Sequence, residues 1–217
     1  MAPECHPGDV LEALTGTGLA ASAGLNAYIP LVTMGLLARY TDLIDLPNGW
    51  GWLANGWTLL ILALLLAIEV VADKVPVVDH VNDVVQTVVR PTAGGLAFGA
   101  GSASETVTVS DPGSFFGSHQ WVPIAAGVVI ALGVHGVKAA SRPVVNTTTA
   151  GFGAPVASTA EDIGSVLMAV LAIVLPILVL VGLLLIVIGG FWVVRRRRQK
   201  RAKRTQLSGS GAPHSFG

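Results

Sequence analysis

A single cysteine, Cys5, stands among the 217 residues, so neither an intrachain disulfide nor a cysteine-rich zinc site can form. Charge is scarce as well. Asp, Glu, Lys and Arg make up 12% of the chain, against about 25% in an ordinary soluble domain. GxSxG, HExxH, a Walker-type phosphate loop and a paired CxxC are all missing. No enzyme and no cofactor is therefore expected. The first thirteen residues carry Glu4, Asp9 and Glu12 but no Lys or Arg, the wrong charge for the start of a signal peptide. The first apolar segment is expected to stay in the mature chain.

What is abundant is apolar surface, with hydrophobic residues at 52%. The formal charge sums to zero from 13 basic and 13 acidic side chains, but eight of the bases lie in residues 195–204. Residues 1–194 hold 5 basic and 13 acidic side chains. Basic character thus belongs to one tail, and a nucleic-acid partner is not expected. Arg195, Arg196, Arg197, Arg198, Lys200 and Arg201 read as a topology determinant in contact with anionic lipid headgroups. Each is worth about 1 kcal/mol near such a surface. Three regions follow: a polar start at 1–13, a transmembrane helical domain at 14–194, and a basic, disordered cytoplasmic tail at 195–217.

A helix needs about 20 mostly apolar residues to cross a bilayer. Residues 15–38, 53–72, 121–140 and 163–194 meet that length. Residues 91–104 and 144–159 are apolar but rich in Gly, Thr and Pro, as short spans or re-entrant segments inside a bundle would be. The fold class expected is an all-α membrane protein, a polytopic bundle of about six segments, two of them short, broken or re-entrant. Residues 75–89 read as an amphipathic helix on the inner surface. Because Lys and Arg favour the cytoplasmic side, six crossings place both termini there, with Lys74, Arg90, Lys138 and Arg142. Arg39 is then left outside with Asp42, Asp45, Glu105, Asp111, Glu161 and Asp162. Trp50, Trp52, Trp57 and Trp121 fall at the outer boundary and Trp192 at the inner one. Arg90-Pro91 and Arg142-Pro143, each followed by small residues, hint at an internal repeat.

Several polar residues stand inside apolar runs. Glu69 lies a turn deeper than Asp73, and an ionisable group within a span costs about 2.5–3.5 kcal/mol at the helix centre unless it meets a cavity or a partner. Asp73 and Lys74 are expected nearer the interface, solvated or snorkelling, and His135 and Lys138 solvated. Asn26, four residues before Pro30, either lines a pathway or makes an interhelical hydrogen bond. Asn146 and Thr148 either coordinate a solute or cap a broken helix. Asp79, His80 and Asp83 form a cation site or a solvated face. Glu161 and Asp162, after Ser158 and Thr159, have the pattern of a helix start. Gly16, Ala20 and Gly24 repeat every four residues, which lets helices approach closely.

The strings Ala21-Ser22-Ala23-Gly24-Leu25-Asn26-Ala27-Tyr28-Ile29-Pro30 and Ala72-Asp73-Lys74-Val75-Pro76, with Asp79-His80 and Arg90-Pro91, resemble a bacterial membrane family known as domain of unknown function 4126. The likeness runs from about Leu14 to the basic tail. It implies a bacterial, actinobacterial, integral membrane protein and carries no established activity. More distantly, Glu69 with Asp73-Lys74 is similar to the E-x-G-D-K motif of a cation-exchanger family, with the acids one residue further apart. The function expected is a small-solute or ion transporter or channel whose pathway involves Glu69, Asp73, Asn26, Asn146 and Thr148. The alternative is a non-transporting scaffold or accessory subunit. The partner expected is the lipid bilayer, with a homo-oligomer also open.

Overall fold

A proline in the first apolar run decides the first break. Its ring crowds the carbonyl four residues earlier and it has no N–H to donate, and the residue four before Pro30 is Asn26. The Asn26 Oδ1 atom accepts the backbone N–H groups of Tyr28 (3.2 Å) and Ile29 (3.3 Å). Helix α1 therefore spans Pro7–Leu25 and α2 spans Ile29–Tyr40. Residues 15–38 are two helices and not the single span expected.

The computed structural model describes residues 7–47, 49–74, 76–102, 121–149 and 152–176, and residues 184, 185, 187–189, 191, 192 and 195. After α2 come a 3₁₀ turn, Gly51–Ala54, and α3, Gly56–Ala72, whose first turn is capped by Asn55 Oδ1 accepting from Trp57 N. Then follow α4, Pro76–Gly101, α5, Trp121–Thr149, and α6, Gly153–Val174. No strand occurs among the described residues. The chain divides into two units, Met1–Leu183, which holds α1 to α6, and Leu184–Gly217, whose described residues are helical and exposed.

Three further expectations are corrected. The amphipathic helix at 75–89 and the broken segment at 91–104 are one helix through Gly101, with Pro91 inside it. Residues 144–159 are not one segment: Val144 to Thr149 finish α5, which carries Pro143 within it, and Gly153 opens α6. Residues 163–194 are not one helix either, because α6 ends at Val174. Leu175 precedes Pro176, and a residue before proline is pushed out of the helical region. The two Arg-Pro pairs both lie inside a helix with the arginine buried, and the residues after each proline differ in exposure. Ala93, Ala97 and Phe98 are buried, whereas Thr147, Thr148 and Thr149 are exposed.

Contacts fix the helix directions. Gly16 packs on Phe98 and Gly94 approaches the Ala20 carbonyl, so α1 and α4 run antiparallel. Gly95 meets Ile124, and Gly24 meets Ala131 and Val134, which sets α5 antiparallel to α4. Ser22 with Ser165 and Asn26 with Asp162 make α6 antiparallel to α1. Gly35 lies against Leu53 and Leu59, and Arg39 Nη1 donates to the Ala54 carbonyl, so α2 ends where α3 starts. The six helices thus alternate in direction. Trp50, Trp52, Trp57 and Trp121 gather at one end, and the α1–α2, α3–α4 and α5–α6 junctions lie at the other.

Helix α1 is central, packed on α4, α5 and α6. Its Leu19, Ala20, Ala21 and Ala23 are fully buried. The polarity is inverted relative to a soluble domain, where charged groups lie outside. Glu69, Asp73, Gln86, Arg90, His135, Lys138 and Arg142 are buried. Leu60, Ile61, Leu64, Ile68 and Val71 of α3 are exposed, as are Val156, Ile163, Leu167 and Val170 of α6. Helices α5 and α6 are long and apolar enough to cross a membrane, and Val10–Leu25, α2 and α3 are shorter apolar helices.

Candidate functional site: a buried charge network

Helix periodicity assembles the site. Glu69 and Asp73 are four apart at the end of α3, and Asn82, Gln86 and Arg90 recur every four residues on α4, so each set forms one stripe. The α4 stripe meets the α3 stripe at both ends. Arg90 Nη2 donates to Glu69 Oε1 at 2.9 Å, and Asn82 Nδ2 donates to Asp73 Oδ1 at 2.8 Å. Gln86 lies between them.

From α5, Lys138 Nζ reaches Asp73 Oδ2 at 3.0 Å, Glu161 Oε2 of α6 at 3.0 Å and the Leu25 carbonyl that ends α1 at 3.1 Å. Arg142 Nη2 lies 2.8 Å from Glu161 Oε2 and 3.4 Å from Asp73 Oδ2, and Arg90 Nη2 is 3.6 Å from the same Asp73 oxygen. Asp162 accepts from Asn26 Nδ2 at 3.0 Å and faces Lys74 Nζ at 3.5 Å. Four acids, Glu69, Asp73, Glu161 and Asp162, meet four bases, Lys74, Arg90, Lys138 and Arg142. Removing charges from water costs several kcal/mol per ion even after relaxation, and opposite charges offset that cost at the buried Glu69, Asp73, Arg90, Lys138 and Arg142, while Lys74 stays partly exposed.

Asp73, which caps the end of α3, is the hub. Burial works against its charge, but the Lys138 ammonium, then Arg90 and Arg142, outweigh it and hold its carboxyl below the ordinary carboxylate value. Arg90 Nη1 also lies 3.1 Å from His135 Nδ1. A guanidinium can only donate, so Nδ1 accepts, and a neutral imidazole then carries its proton on Nε2, 3.3 Å from Thr87 Oγ1.

A cavity of about 380 Å³ opens at the tryptophan end, lined by Glu12, Thr15, Leu19, Met34, Asp45 and Ile173 among others. Between it and the network, α1 and α6 are joined by reciprocal bonds: Ser22 Oγ to the Ser165 carbonyl at 2.8 Å and Ser165 Oγ to the Ser22 carbonyl at 3.0 Å. One turn on comes Asn26 with Asp162.

The sequence reading brings Glu69, Asp73 and Asn26 to one site, but it misplaces their partners. Asp73, His135 and Lys138 are buried and not solvated. Glu161 and Asp162 lie well inside α6 and at the same end as Lys138, so they neither start a helix nor sit opposite the basic residues. Thr148 is exposed and bonds the Val144 carbonyl of its own helix at 2.7 Å, away from the network. The side chains of Asn146, Asp79, His80 and Asp83 lie outside the described residues, as do Arg196, Arg197, Arg198, Lys200 and Arg201. Among the described residues no cluster of His, Cys, Asp and Glu suits a metal ion. Arg90, Arg142 and Gln86 were missed as site residues. Arg-Pro inside an apolar run was the available signal.

No curated protein and no solved structure matches the chain. A family model described as a domain of unknown function (DUF4126) matches residues 13–196. With well over half of its length matched, the chain belongs to that family.

Proposed function

We propose that this is a polytopic membrane protein that moves a small solute or ion between the cavity at the tryptophan end and the charge network at the other. The carrying observation is the asymmetry between the two ends: a cavity is open at one, and ion pairs joining α3, α4, α5 and α6 close the other. The seam between runs from Thr15 past Leu19 to Ser22 and Ser165, then to Asn26 and Asp162. This path replaces the one expected through Asn146 and Thr148.

Inverted polarity supports the membrane setting, since apolar outer faces suit hydrocarbon and buried polar groups need partners there. The positive-inside tendency puts the end with Lys74, Arg90, Lys138 and Arg142 toward the cytoplasm. Since α1 starts at the tryptophan end, the beginning of α1 then faces outward, where the count of six spans had it inside. The basic tail is assigned to the cytoplasm by its charge alone.

The test is flux of Na⁺, K⁺, Ca²⁺ and protons in proteoliposomes, together with labelling of Thr15→Cys in a Cys5→Ser background. Flux that Asp73→Asn alters while the variant still folds, with labelling from outside only, supports the reading. No flux of any of these ions, with a second protein co-purifying, favours the accessory-subunit alternative, for which the charge-balanced network is purely structural.

A further inference from the structure

The cavity at the tryptophan end has a divided lining. Leu19, Met34 and Ala100 are buried and give it an apolar floor, with Ile173 of α6 also against it. Glu12 and Asp45 line the same cavity and are exposed to solvent. Among the described residues neither carboxylate has an ion-pair or hydrogen-bond partner, and no Lys, Arg or His lines the cavity. At the network end, by contrast, each acid already has its base.

Charge and shape together define a guest. The volume, about 380 Å³, falls in the range of ~300–1,000 Å³ usual for small-molecule sites, which are mostly apolar with a few polar groups that orient the ligand. Two carboxylates without a base to offset them attract cations and repel anions. A divalent metal ion wants about six to eight oxygens around it, and the floor of Leu19, Met34 and Ala100 offers it only carbon. A neutral apolar guest would use the floor and leave the two acids without a role. An ammonium group on an apolar body uses both.

We propose that this cavity binds an organic cation, a primary or quaternary ammonium on a compact apolar group, with its charge toward Glu12 and Asp45 and its apolar part on Leu19, Met34 and Ala100. The proposal names the solute class of the transport reading and rests on that reading for the movement of the cation. Binding itself is a property of the folded chain and is measured without flux.

The test is titration calorimetry of the full chain in a maltoside detergent with benzyltrimethylammonium, whose charge is fixed. Benzyl alcohol serves as the neutral counterpart, phenylacetate as the anionic one, and tetramethylammonium as a charge without the ring. Saturable binding of benzyltrimethylammonium is expected, about tenfold tighter than any of the other three and weakened by added salt. Glu12→Gln and Asp45→Asn should each weaken it by up to about fivefold, as exposed ion pairs do, and the double variant by about tenfold. Thr15→Phe fills the cavity from a half-buried position and should abolish binding without lowering the melting temperature. Should Thr15→Phe not fold, the double variant of the two exposed acids decides alone. Equal binding of benzyl alcohol, undiminished binding in the double variant, or binding that survives a folded Thr15→Phe overturns the proposal. Binding without uptake of the same cation into proteoliposomes loses the transport reading and keeps the site; Na⁺ or K⁺ flux through a chain that does not bind benzyltrimethylammonium does the reverse.

Discussion

Lys138 Nζ meets Asp73 Oδ2 at 3.0 Å with both side chains 1% exposed. Removing one member of a buried pair leaves the other charge uncompensated, at a cost of about 3–5 kcal/mol. Asp73 keeps Arg142 and Arg90 when Lys138 is lost, whereas three cations lose their shared oxygen when Asp73 is lost. Asp73→Asn should therefore destabilise by the upper part of that range and Lys138→Met by the lower. Thermal unfolding in detergent reads both, and equal effects would contradict Asp73 as the hub.

Close approach between helices gives a second expectation. A Cβ on Gly24 would lie 2.6 Å from Val134 Cβ and 2.7 Å from the Ala131 carbonyl oxygen, and backbone cannot easily yield. Gly24→Ala should cost about 1–3 kcal/mol through overpacking. On the same α5, Gly133 and Gly136 have nothing within 4 Å of a new Cβ. Alanine there should be neutral or gain up to about 1 kcal/mol of helix propensity. A melting series across the three variants checks the contrast.

Much of this was legible in the sequence where a residue's own chemistry decided the outcome. Glu69 deep in an apolar run demanded a partner, and α3, Gly56–Ala72, lies close to the run read as 53–72. Small residues at 16, 20 and 24 do pack at a helix crossing. What failed were judgements that needed a partner's position. The Gly, Thr and Pro content of 91–104 and 144–159 looked like broken segments, yet α4 continues through Pro91 to Gly101 and α5 through Pro143 to Thr149. Glu161 and Asp162 looked like a helix start because only local spacing was visible. Their true partners, Lys138, Arg142, Asn26 and Lys74, are brought together by antiparallel packing that no local pattern encodes.

The reciprocal serines separate side-chain chemistry from space. Ser22→Ala removes one of two side-chain-to-backbone bonds, because Ser165 Oγ still reaches the Ser22 carbonyl. The expected loss is about 1 kcal/mol. Ser22→Val removes the same hydroxyl and adds bulk at a fully buried position. It should cost more than Ser22→Ala, as measured by the same unfolding assay, and a smaller loss for valine would mean that the seam is loose.

Asn26 does two jobs with one amide: its Oδ1 caps α2 through Tyr28 and Ile29, and its Nδ2 donates to Asp162 at 3.0 Å. Asn26→Ala loses the cap, worth about 1 kcal/mol, and leaves Asp162 with Lys74 alone. Asn26→Asp keeps an acceptor for the cap but sets a second carboxylate against Asp162, in a part-buried place where like charges repel strongly. It should be the more damaging change at neutral pH and recover as the pH falls, since protonating either carboxyl restores a donor between them. Adding Asp162→Asn to Asn26→Asp reverses the donor and acceptor while keeping the total charge. That double variant should melt closer to the parent than Asn26→Asp does. If instead the two losses simply add, the 3.0 Å bond is not what joins the α1–α2 break to α6.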